Sequence, residues 1–166
     1  MKKYLIITLL FAFFARTSQG QTLAFPDMVD LVNLSIGQIE NVLIGTGKFK
    51  VNDKKDMFGQ LITTYQSINK EKKVVKGETM AVGAYRTTGD GTKLKTITYL
   101  TVYREYIDNL MKQIRRFVYR QTFKGMDTQR TIYIFDNQLN HITVLLRADH
   151  TLNSIEIRQK ELGIEP

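Results

Sequence analysis

At 166 residues the chain can form one domain with a real core, or two small halves packed together, and its complete lack of cysteine excludes thiol chemistry, cysteine-held metals and disulfide support. The formal charge is +8, but Lys2, Lys3 and Arg16 fall in a segment expected to be removed, which leaves 21 basic against 16 acidic residues, or +5. So small an excess on an exported chain argues against a nucleic-acid partner and for solubility with a mild attraction to acidic surfaces.

The first twenty residues have the composition of a secretory signal peptide. Lys2 and Lys3 form the charged start. Tyr4 to Ala15 is apolar but for Thr8, and Ser18-Gln19-Gly20 offers small residues before a cut at Gln21. The apolar run is shorter than the about 20 residues that cross a bilayer, and Arg16 ends it. With no cysteine beside the cut, the lipid-anchored form of export is excluded. The expected product is a soluble exported chain, periplasmic or extracellular, from Gln21 to Pro166.

Pro26, Asp27 and Asp30 suit a helix start, and Met28, Val29, Val32, Ile36, Ile39 and Leu43 predict one helix over 26–44, closed by Gly45 and Gly47. Phe49 and Val51 start a short strand, and Asp53 to Asp56 reads as a turn. Leu61 to Ile68 is a strand, followed by an exposed basic loop from Asn69 to Gly77. Thr79 to Arg86 and Lys93 to Thr101 are strands around a Thr87–Gly91 turn, since Asp90-Gly91 favours a tight reversal. A second helix is predicted over 103–124, on the stripe Tyr103, Tyr106, Ile107, Leu110, Met111, Ile114, Phe117 and Val118, with Gly125 as its stop. Thr131–Asp136, His141–Arg147 and Leu152–Arg158 follow as strands, with a turn at Asn137–Asn140. In the last strand Ile155 and Ile157 point one way and Glu156 and Arg158 the other, which gives it one wet face.

The fold class expected from this order is α+β: two amphipathic helices packed on antiparallel sheet. Gln38-Ile39 and Gln113-Ile114 match at an offset of 75 residues, which suggests two similar helix-plus-three-strand halves, 21–101 and 102–166. In element order alone the chain resembles small exported modules built from repeated helix-plus-sheet units, such as secreted protease-associated and β-lactamase-inhibitor-like domains. No motif residue carries a function across from them.

The motifs that announce chemistry are absent or misplaced. His141 and His150 have no metal-type spacing, and His150, Asp149 and Ser154 crowd one hairpin, where a catalytic triad cannot form. Gly89-Asp90-Gly91-Thr92-Lys93 lies between strands, whereas a phosphate loop needs a helix after it. The second helix is basic, with its acids early and its bases late, as the helix dipole favours, and Asp108 faces Lys112 at i, i+4. In Thr131–Phe135 both faces are apolar: Ile132 and Ile134 on one, Tyr133 and Phe135 on the other, with Tyr99 and Leu145 joining the second. An aromatic sheet face left open would be a binding surface.

The function expected is a non-enzymatic exported binding module, using Tyr99, Tyr133, Phe135 and Leu145 or the basic residues Arg115, Arg116 and Arg120 to hold an envelope protein or an acidic surface. No cofactor or metal is expected. The alternatives are a small hydrolase drawing on carboxylates such as Asp136 and Glu156, or a carrier of a small apolar ligand, which would need a cavity under the sheet. Expression with the leader in a secretion-competent host is expected to yield a chain whose N-terminal sequencing starts at Gln21; an unprocessed Met1 start would contradict the leader.

Overall fold

The described chain is organised around one antiparallel sheet of eight strands. The computed structural model describes residues 23–57, 60–69, 71–149 and 151–161, so the expected leader and His150 lie outside the described residues. In chain order the elements are α1 (Phe25–Asn33), α2 (Ile36–Gly45), β1 (Phe49–Met57), β2 (Gln60–Ile68), β3 (Val74–Thr87), β4 (Lys93–Thr101), α3 (Arg104–Ile114), β5 (Arg120–Met126), β6 (Arg130–Asp136), β7 (Asn140–Arg147) and β8 (Asn153–Gln159). The sheet order is β1-β2-β3-β4-β8-β7-β6-β5, every pair antiparallel. Two meanders, β1–β4 and β5–β8, thus meet along their last strands.

This overturns the expected α+β architecture of two long helices on a sheet. Among the described residues strands dominate, and the helices are three short ones of 9, 10 and 11 residues. The helix expected over 26–44 is broken because Leu34 and Ser35 take extended backbone, at ψ 159° and 158°. Ser35 then caps α2: its hydroxyl accepts from the Gln38 N–H at 3.3 Å and the Gln38 side chain accepts from the Ser35 N–H at 2.9 Å. That is a capping box, and Ser35-Ile36-Gly37-Gln38 carries its signature in the sequence.

The helix expected over 103–124 stops at Ile114. Ile107, Leu110, Met111 and Ile114 are buried, but the same spacing carried onward reaches Phe117 and Val118, which are 47% and 92% exposed. From Arg120 the backbone pairs with β6, running from Arg120↔Asp136 to Met126↔Thr131. The second meander therefore has four strands where three were expected. The turn expected at Asp53–Asp56 also lies inside a strand. β1 is an edge, with a register shift between Val51 and Asp53 and the charges Lys50, Asp53, Lys54 and Asp56 along it. Bulges and charges are what keep a free edge from pairing with other chains.

All three helices lie on one face of the sheet, and one apolar core holds them there. At its centre Ile97 faces Ile157 and Tyr99 faces Ile155 across the β4–β8 ladder, and all four are fully buried. Met28 and Val32 of α1 and Ile107, Leu110 and Ile114 of α3 belong to the same core. Ile39 and Leu43 of α2 join it toward the Phe49 end of β1. The wet face expected for the last strand is present: Ile155 and Ile157 are buried, and Glu156 and Arg158 point away. At the end of the core Glu78 is buried, accepting a hydrogen bond from the Tyr99 hydroxyl and another from Ser67 at 3.2 Å. Burial first, and the Glu78 carboxylate second, push the Tyr99 phenol far above its usual value.

Removing apolar volume is expected to cost most where the meanders meet. Ile97→Ala should lower the unfolding free energy by about 2–5 kcal/mol, and Ile134→Ala, on the opposite face, by less than half of that. Urea titrations of both variants test the ranking; equal losses would mean that both faces are packed.

Candidate functional site

Among the described residues no element covers the other face of the sheet. Alternation and register place its side chains in rows across the strands. One row runs Leu100, Ser154, Leu145, Ile132; the next Thr98, Glu156, Thr143, Ile134, Phe123; the third Thr96, Arg158, His141, Asp136, Arg120. The β6–β7 side of this face is aliphatic, with Ile132, Ile134 and Leu145 half-buried by one another. On edge strand β5 Phe123 is 49% exposed, its ring lying over the bare backbone of Gly125.

The third row is polar and centres on a hydrogen-bonded cluster around Asp136. The Asp136 carboxylate meets His141 Nδ1 at 2.9 Å and Lys160 Nζ at 2.8 Å, and accepts from the Thr122 hydroxyl at 2.7 Å. Thr122 reaches it because β5 shifts register between Gln121 and Phe123. His141 Nε2 lies 3.4 Å from the Thr143 hydroxyl. Beside it Arg158 pairs with Glu156 at 2.7 Å and stands 5.3 Å over the Tyr85 ring. Burial alone would raise the Asp136 carboxyl, but the hydrogen bonds from Lys160, Thr122 and His141 outweigh it and hold the group below its usual 3.8.

The residues expected to form the binding surface do not share it. Tyr99 and Phe135 are on the helix side, 0% and 2% exposed, as part of the core. Tyr133 is on that side too, half-buried at the core's margin, stacked 6.5 Å from Phe135 with Lys124 Nζ 5.6 Å over its ring. Leu145 lies on the opposite, open face, directly across from Ile132. The aromatic face is therefore the covered one, and the aliphatic Ile132–Ile134 face is the open one. Arg115, Arg116 and Arg120 are exposed, but only Arg115 touches the helix, as its C-cap; Arg116 is in the following turn and Arg120 starts β5. Asp108 pairs with Arg104 at 3.2 Å in place of the expected Lys112. The phosphate-loop lookalike is a hairpin turn, with Asp90 accepting from the Thr88 hydroxyl and the Thr92 N–H.

Thr143, His141 and Asp136 have the order of nucleophile, base and orienting acid. Yet β7 is an inner strand whose backbone pairs on both sides, so its amides are committed to the ladder and cannot hold a developing oxyanion. Lys160 occupies the carboxylate where a cation would bind, and no group of three or more metal-ligating side chains occurs among the described residues. The polar cluster had a readable sequence signal. A four-residue turn at Asn137–Asn140 sets Asp136 opposite His141, and counting outward sets Ile132 opposite Leu145.

No protein-family model, curated protein or solved structure matches this chain.

A carboxyl held below 3.8 in the folded state adds stability that is complete above that pH and is lost as pH falls through the depressed value. Asp136→Asn should therefore destabilise the protein relative to wild type at neutral pH, and the two should converge on acidification. Unfolding free energies measured across the acid range test this; a gap that stays constant with pH would remove Asp136 from the linkage.

Proposed function

We propose that the chain is a non-enzymatic binding module of the cell envelope, which holds a protein partner against the helix-free face of its sheet. The observation that carries this reading is the combination on that face of an uncovered aliphatic patch, Ile132, Ile134, Leu145 and Phe123, with adjoining charged groups locked by their neighbours. Apolar area supplies affinity, and side chains already fixed in place lose little entropy when a partner docks. The paired charges fit a polar rim: Asp136, His141 and Lys160 satisfy one another in the free protein and need no opposite charge from the partner. The leader expected at residues 1–20 puts such a module outside the cytoplasm.

The hydrolase reading draws on one observation, the Thr143–His141–Asp136 alignment. It is the weaker reading, because no free backbone donor on β7 faces Thr143. Turnover of an activated ester lost in both Thr143→Val and His141→Ala would support it. The carrier reading draws nothing from the space between helices and sheet, which Phe25, Phe49, Tyr65, Tyr99 and Phe135 fill.

A photo-reactive side chain at position 145 is expected to cross-link one envelope protein, and the same group at Asn109, exposed on α3, to cross-link none. Ile134→Asp should abolish the adduct while leaving the circular dichroism spectrum unchanged. Equal labelling from both positions, or none from 145, would sink the binding reading in its protein form.

A further inference from the structure

A second surface stands apart from the open sheet face. Between α3 and β5 the chain Lys112–Arg120 carries Lys112, Arg115, Arg116 and Arg120 within nine residues. None of the four makes an ion pair with a described carboxylate. Asp136 is the register partner of Arg120, but its oxygens are taken by Lys160, His141 and Thr122. At the tip of this basic turn stands Val118, 92% exposed, the most exposed of the large apolar side chains among the described residues. Phe117 beside it is 47% exposed.

The turn is held in this form. The Phe117 N–H donates to the Ile114 carbonyl at 3.1 Å, and the Tyr119 N–H to the Phe117 carbonyl at 2.8 Å. The second bond closes a three-residue turn around Val118 that pushes its side chain outward. The rings of Phe117 and Tyr119 pack on Phe25 at 5.6 and 5.5 Å, and the Tyr119 hydroxyl donates to Asn140 at 3.0 Å. An apolar side chain held in water amid unneutralised cations has no role in packing. An anionic bilayer surface satisfies both features: headgroup phosphates take the cations, and the interfacial layer takes the apolar tip. A free anion or a nucleic acid would use the charges but not Val118.

We infer that the α3–β5 turn docks the protein on anionic phospholipid, with Val118 inserted between headgroups and Arg115 and Arg116 on their phosphates. The partner of the sheet face is then met at a membrane surface, though lipid docking does not depend on that partner.

The processed chain should co-sediment with vesicles of phosphatidylcholine plus phosphatidylglycerol, much less with phosphatidylcholine alone, and less as salt rises. Each arginine removed should weaken partitioning about fivefold, so the Arg115→Gln/Arg116→Gln double variant should lose roughly 25-fold. Because the chain has no tryptophan, Val118→Trp is a single reporter. Its emission should shift to the blue on phosphatidylglycerol vesicles and be quenched by brominated acyl chains. Leu145→Asp, which disables the proposed protein-binding face, should bind vesicles as wild type does. Absence of phosphatidylglycerol-dependent binding, wild-type affinity in the double glutamine variant, or unmoved emission from the Val118→Trp reporter would overturn the inference; an acidic protein groove would then be the occupant to test. Loss of vesicle binding in Leu145→Asp with normal binding in the double variant would also overturn it, placing the lipid contact on the sheet.

Discussion

The antiparallel pairing of β4 with β8 is the interaction the rest of the structure depends on. Each belongs to a different meander, and more than fifty residues separate Ile97 from Ile157 and Tyr99 from Ile155. Without this seam each meander would end in an unpaired strand with half a core. With it, the four fully buried side chains form a floor on which α1 and α3 both rest. Fully burying an isoleucine is worth about 1.5–3 kcal/mol, and each new ladder hydrogen bond adds on the order of 1 kcal/mol. The seam concentrates both terms where the loop-closure entropy is greatest.

That seam also decides which surface is free. The three short helices of the described residues cannot cover eight strands twice. They gather over the β4–β8 centre and the β1 end, on the side where Met80, Ile97, Tyr99, Val144 and Ile155 lie. The opposite side is left to threonines, a few aliphatic residues and the charged row through Asp136 and Arg158. Most of its charged groups are paired with neighbours on the face, Asp136 with His141 and Lys160 and Glu156 with Arg158, so the face tolerates water without being purely hydrophilic. Both edges carry a register shift, but β1 is lined with charges whereas β5 carries Phe123 and Met126 exposed. The two most exposed large apolar side chains among the described residues, Val118 and Met126, lie in the turn before β5 and in β5 itself, next to the proposed protein face and the proposed lipid contact.

Local patterns were legible where a local rule governs them. The i, i+3, i+4 stripe of α3, the alternation in β8 and the Asp90-Gly91 reversal all hold, because each depends on neighbours within a few residues. The Ser35–Gln38 capping box was also local and would have split the first helix. The stop of α3 was not visible in this way. Phe117 and Val118 continue its stripe, and only the presence of β6 as a hydrogen-bonding neighbour turns Arg120–Met126 into a strand. Leu145 belongs with Ile132, as the Asn137–Asn140 turn implies, and not with the aromatic residues. Tyr99 could not be placed by such counting, since its face depends on a pairing across the seam and on the irregularities in β3.

The amino-acid sequence by itself determined the alternation along β2, β6, β7 and β8, the helical stripe of α3, the absence of thiol chemistry and the basic excess that gathers near Arg115 and Arg116. These follow from side-chain type and spacing, whose consequences reach only as far as one turn of helix or one pleat. Only the tertiary structure decided that β4 joins β8, that the helices share one side, and therefore that Tyr99 and Phe135 are core while Leu145, His141 and Asp136 face out. A strand with two apolar faces can bury either one, and the choice is made by where the helices find the larger continuous apolar floor.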